Sequence, residues 1–153
     1  MTVNTNKILI FGYGNPGRQD DGLGIFFVEE LEKWAKLNNL TNITFDSDYQ
    51  INAETAYDMS LHDRVVFVDA SKHGKEPFEI SDIGAADTIS FSTHAMSPGS
   101  VVSLCAELYN KNPAAQLLAI RGYEWEVNEN MTGQAGKNLM EALSFFQKDL
   151  SGG

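Results

Sequence analysis

KILIFGYGNPGRQDDGLG, residues 7–24, changes periodicity halfway along its length. Lys7 to Phe11 is a short continuous apolar run ended by glycine, as expected of a strand covered on both faces of a parallel sheet. From Gly22 the spacing becomes helical. Leu23, Phe27, Leu31 and Trp34 share one face, while Glu29/Lys33 and Glu32/Lys36 offer i,i+4 pairs on the other. Asn38-Asn39 stops that helix. The junction holds a literal G-x-G-x-x-G (Gly12, Gly14, Gly17), the pattern of a dinucleotide-binding turn. Three features argue against a dinucleotide. Asp20 and Asp21 would occupy the positive helix N-terminus and repel phosphate. Pro16 removes a backbone donor that a phosphate cradle uses. The acidic residue expected about 20 positions beyond the motif is missing, since Asp46 and Asp48 come too late. Helix capping accounts for Asp20 by itself. Asp21 becomes more than a cap only if partners converge on it.

Ile43 to Phe45 reads as a second strand, and Asn52 caps a short helix beginning near Ala53. Val65 to Val68 is a third strand that runs straight into Asp69. A loop with Gly74 and Pro77 follows, then weaker strand signals at Phe78 to Ile80 and a further extended piece at Thr88 to Phe91. Ser97-Pro98 supplies an N-cap with proline at the first helical position. Val101, Leu104, Cys105 and Leu108 form the stripe of a helix that ends before Pro113. Leu117 to Ile120 is another buried strand. The last helix carries Leu139, Leu143, Phe146 and Leu150, and Ser151-Gly152-Gly153 is a frayed end. Strands alternating with helices predict an α/β sandwich with a mostly parallel sheet. Ligands of such sheets bind beyond the carboxyl ends of the strands, the edge that holds both the glycine loop and Asp69.

The chain's 153 residues suit one domain, residues 1–153, with a single core. A formal charge of −10 argues against nucleic acid and anionic membranes, and favours a metal or a basic protein segment. One cysteine, Cys105, excludes an internal disulfide and a thiolate zinc cluster, and its place on an apolar helix face reads as inert core. The apolar run in MTVNTNKILIF is too short for a signal peptide and no stretch approaches a membrane span, so a soluble, cytoplasmic protein is expected, and the absence of an obvious extra apolar face points to a monomer.

His94 lies in FSTHAMSPG, the loop that enters a helix, whereas His62 and His73 read as solvated side chains. If the His94 loop reaches the edge of Asp21 and Asp69, two carboxylates and one imidazole line one cleft. That donor set suits a borderline divalent ion such as Ni²⁺ or Zn²⁺ and leaves coordination positions open.

Three segments together resemble the hydrogenase maturation proteases, the endopeptidases that process [NiFe]-hydrogenase large subunits: GYGNPGRQDDGLG with its helix, VVFVDAS, and STHAMSPG. DYQINAE (residues 48–54) and RGYEWE (residues 121–126) resemble one branch of that family. The resemblance implies a three-layer, phosphorylase/hydrolase-like α/β/α sandwich with strand order 2-1-3-5-4 and the fourth strand antiparallel. It places the family's metal-binding positions on Asp21, where some members carry glutamate, on Asp69 and on His94. The implied activity is removal of the C-terminal extension of a large-subunit precursor, by a nickel-dependent endopeptidase of aspartic or metallo type. The nickel is carried by the precursor, and zinc or cadmium suits the same position. Asp21, Asp69 and His94 would serve docking and catalysis alike. Gln50, Glu54 and Glu124 are candidate substrate contacts at the rim. Tyr123 and Trp125 are either partner-facing or core, with core favoured for Trp125. Two alternatives stay open: a non-hydrolytic, nickel-sensing chaperone of the large subunit, and a peptidyl-tRNA hydrolase-like enzyme. The second shares a GLGNPG-type loop but needs a basic surface.

Overall fold

The computed structural model describes residues 6–84 and 96–152, so His94 and the extended piece expected at Thr88 to Phe91 lie outside the described residues. Five strands form one sheet: β1 (Ile8–Tyr13), β2 (Ile43–Asp48), β3 (Arg64–Ser71), β4 (Phe78–Asp82) and β5 (Ala114–Arg121). Their order is β2-β1-β3-β5-β4, parallel except for β4 against β5. The expected order and the antiparallel fourth strand are both present. The weak signal at Phe78 to Ile80 is the start of that strand, which runs on to Asp82.

Because strand side chains alternate between faces, β1 feeds two cores. Ile8 and Ile10 join Val66 and Val68 beneath α1 (Leu23–Leu37) and α4 (Gly133–Leu150), where Phe27 and Phe146 meet edge to face at 5.7 Å. Leu9 and Phe11 join Val65 and Phe67 beneath α2 (Ala53–Ser60) and α3 (Pro98–Tyr109). The result is three layers. Truncating any of the fully buried phenylalanines Phe27, Phe67 or Phe146 to alanine would cost roughly 3–5 kcal/mol.

The helix boundaries follow from caps that the sequence supplies. The Asn52 side chain accepts the Glu54 N–H at 3.1 Å, and the Thr55 hydroxyl accepts the Asn52 N–H at 3.3 Å, a capping box. Ser97 accepts the Ser100 N–H at 3.1 Å, with Pro98 first in the helix. Asn38 ends α1, and Asn39 takes a left-handed φ of 57°.

Two details depart from the sequence expectation. Lys33 pairs with Glu30 at 3.1 Å rather than with Glu29, one turn position closer, while Lys36 reaches Glu32 at 3.8 Å. Leu108 is 58% exposed although Leu104 and Cys105 are buried, because the last turn of α3 runs past the end of its core cluster.

Candidate metal-docking site

The site begins where β1 ends. Gly14 has φ 137°, and a Cβ there would stand 2.1 Å from the Asp21 carbonyl oxygen, so only glycine lets the chain turn back so tightly. Its N–H donates to Asp48 O at 3.2 Å, tying the turn to the end of β2. The Asn15 side chain accepts the Gly17 N–H at 2.8 Å, and the chain then makes a 3₁₀ turn over Gln19–Gly22 before α1. Gly24 brings α1 onto the strand ends, since a Cβ there would lie 2.4 Å from Val68 O.

Neither aspartate caps α1, whose N-cap is Gly22. The reason is positional: both lie in the 3₁₀ turn that precedes it. Asp20 is 0% exposed. Its carboxylate accepts the Tyr123 N–H at 2.7 Å, the Glu124 N–H at 3.1 Å, and the Thr132 N–H and hydroxyl each at 2.8 Å. Burial alone would push this carboxyl up, but the donors outweigh it and hold it below its ordinary value. Thr132 is the N-cap of α4, so Asp20 pins the loop between β5 and α4 at both ends. Gln19, buried with φ 48°, does the same beside it: its side chain accepts the Glu126 N–H at 3.0 Å and donates to Asn130 O at 3.1 Å.

Asp21 points the other way and is half-buried. It accepts the Asn15 N–H at 2.9 Å, consuming a loop donor that a phosphate would need. Its charge acts on Asp69, at the carboxyl end of β3. Burial pushes the Asp69 carboxyl up to about 6. The Asp21 charge adds to that, while the Ala70 N–H (2.8 Å to Oδ1) and the Tyr13 hydroxyl oppose it. Asp21 and Asp69, 48 positions apart in sequence, thus lie near enough at the carboxyl edge of β1 and β3 for one charge to act on the other. Two like charges so placed favour a shared cation. Among the described residues no third His, Cys, Asp or Glu completes a metal-binding group with them.

The remaining candidates flank this pair. Gln50 is exposed just beyond β2, and Glu54 is exposed in the first turn of α2. Glu124 is exposed on the opposite flank, where its carboxylate accepts from the Gln19 amide at 3.3 Å. Trp125 is half-buried rather than core, with the Lys72 ammonium 5.3 Å from its ring centroid. Tyr123 is also half-buried, its hydroxyl donating to Glu76 at 2.6 Å and accepting from Asn138 at 2.9 Å. His73 is exposed as expected. His62 is not simply solvated: its ring nitrogens meet Asp58 O at 2.6 Å and the Thr44 hydroxyl at 2.9 Å, near the start of β2 and away from the aspartate pair. Cys105 is buried and burial pushes its thiol up, which makes it inert.

The sequence reading missed the anchoring roles of Asp20, Gln19 and Thr132 and the place of Tyr13. One signal was present. In a DD pair within a tight turn, adjacent side chains diverge, so only one of the two can face a cleft.

No protein-family model and no curated protein matches the chain. Solved structures do. It is similar to the [NiFe] hydrogenase maturation protease HycI from Thermococcus kodakarensis KOD1, with a TM-score of 0.74 and 21% identity over 97% of this chain and 94% of that one. It is similar to the hydrogenase maturating endopeptidase HybD from E. coli, with a TM-score of 0.69 and 19% identity over 95% of this chain and 92% of that one. The hydrogenase 2 maturation peptidase from a Thaumarchaeota archaeon gives a TM-score of 0.65 and 13% identity over 94% and 97%. With its sheet order, its antiparallel fourth strand and its flanking helices, the chain has the fold of the [NiFe] hydrogenase maturation proteases.

Proposed function

We propose that this protein is a maturation endopeptidase that removes the C-terminal extension of a nickel-loaded [NiFe]-hydrogenase large-subunit precursor. The observation that carries this reading is the maturation-protease fold with Asp21 and Asp69 at the carboxyl edge of β1 and β3, near enough for the one charge to act on the other. Asp21, Asp69 and His94 take open positions on the nickel that the precursor brings, and zinc or cadmium suits the same donors. Met96 supports the inclusion of His94. It follows His94 by two residues, is buried, and donates its N–H to Ile51 O at 3.2 Å, just beyond the β2 end that Gly14 touches.

Docking the ion places one peptide bond against the enzyme, an orientation effect. The base for an attacking water is one carboxylate of this pair, Asp69 or Asp21. Gln50 and Glu54 on one flank and Glu124 on the other contact the tail. The protein works as a cytoplasmic monomer.

Alanine variants test this. Asp21→Ala, Asp69→Ala and His94→Ala should each abolish the mass loss of a purified nickel-loaded precursor, while His73→Ala and His62→Ala process it. His62→Ala should melt lower, because its two hydrogen bonds are structural. A wild-type complex that holds the precursor without any mass loss would favour the chaperone instead.

A further inference from the structure

The outer face of α2 is laid out by its register. Glu54, Tyr57, Asp58 and Leu61 stand at i, i+3, i+4 and i+7, one stripe of the helix surface, while Thr55, Ala56 and Met59 turn inward and are buried. The stripe starts beside the cleft at Glu54 and runs about 12 Å toward the amino edge of the sheet. Tyr57 and Leu61 are each 51% exposed, and Tyr109, the last residue of α3, is 37% exposed. The Tyr57 and Tyr109 rings meet edge to face, 5.7 Å apart at 64°, so each holds the other in place on the surface. Asp46, exposed on β2, joins the carboxylates of this face. Burial pushes the Asp58 carboxyl above its ordinary value, and the Asp46 and Glu54 charges add to that against His62. Among the described residues, none of these three carboxylates forms an ion pair with a lysine or arginine.

We propose that this face, Tyr57 and Leu61 of α2 with Tyr109 of α3, docks a segment of the large-subunit precursor that carries lysine or arginine around an apolar side chain, outside the tail that is cleaved. Apolar surface left bare inside a polar rim marks an interaction site, and a tyrosine pair already ordered in the free protein loses little entropy on being covered. The apolar side chain covers the two rings, and its flanking cations meet Glu54, Asp58 and Asp46. Charge selects this occupant over a second copy of the chain, whose identical carboxylates would repel. Because the stripe begins at the cleft, a substrate held there lies over it. Such a surface binds ground state and transition state alike, so it lowers KM and leaves kcat alone. The inference rests on the reading of this protein as the precursor's endopeptidase.

Steady-state processing of purified nickel-loaded precursor by the full chain tests it. Tyr57→Ser combined with Tyr109→Ser should raise KM about tenfold or more and leave kcat within about twofold of the wild type. Leu37→Ser removes an even barer side chain, 83% exposed at the end of α1 on the other layer, and should change neither. The wild-type KM should also rise between about 50 and about 500 mM salt, and rise less in Asp58→Asn. An unchanged KM in the double variant, with wild-type cleavage intact, would overturn the docking surface alone. So would an equal rise in Leu37→Ser, or a wild-type KM insensitive to salt. No cleavage by the wild-type chain would overturn the endopeptidase reading as well.

Discussion

Asp20 turns inward and Asp21 turns toward the sheet edge, because adjacent side chains in the 3₁₀ turn diverge. The inward carboxylate satisfies three backbone N–H groups and a hydroxyl that would otherwise be buried without partners. Asp20→Asn replaces one acceptor oxygen with a donor facing donors, and should destabilise the fold by roughly 2–4 kcal/mol at neutral pH. The sign of the pH dependence follows from the lowered carboxyl. Its contribution is present above the ordinary value of 3.8 and is lost as pH falls through the folded value, so the gap between wild type and Asp20→Asn closes in acid. Denaturant titrations at neutral and acid pH measure this. Asp69 has the opposite sign. Raised from 3.8 to about 6, it favours the fold at low pH and loses that contribution as pH rises through about 6. Asp69→Asn should therefore melt higher than wild type at pH 8 and alongside it below pH 4, while losing cation binding. Equal melting at both pH values would remove the burial and charge repulsion inferred for that carboxyl. The anchoring by Asp20 was illegible in the sequence for a simple reason: its partners lie 103 to 112 residues away, and three of the four are backbone N–H groups, which carry no side-chain signature.

At the scale of elements, what was legible was local. The strand at Lys7 to Phe11, the Asn52 and Ser97 caps and the stripe of α4 depend on residues within a turn of one another, and each stands as the spacing predicts. The failures occurred where a neighbouring element decides. Leu108 has the right phase for its stripe but no core beneath it, and His62 is recruited by the Thr44 side chain of β2. Gly24 shows how element packing reaches the site. A methyl group there meets Val68 O and Tyr13 O at 2.4 and 2.8 Å, backbone atoms of the two strands that carry the site. Gly24→Ala should destabilise by about 1–3 kcal/mol through overpacking. By lifting α1, it should also weaken Cd²⁺ binding even though Gly24 has no side chain to bind with. Calorimetry on a variant that still melts cooperatively checks the second effect.

Over the whole molecule, the sheet has a working edge and a structural edge. At the amino ends of the strands, Arg64 is committed to Asp149 at 2.7 Å and to Gln116, and His62 fastens α2 to β2. At the carboxyl ends, Asp21 and Asp69 lie near each other, and among the described residues neither forms an ion pair with a lysine or arginine, on a chain of net charge −10. No described helix is long and apolar enough to cross a membrane. Intact-mass spectrometry of a purified large-subunit precursor, incubated with the wild-type chain in nickel-loaded and nickel-free forms, tests the central claim most directly. The loaded precursor should lose one discrete C-terminal mass and the nickel-free precursor none. Equal cleavage of both forms, or cleavage by a chain lacking both Asp21 and Asp69 carboxylates, would contradict it.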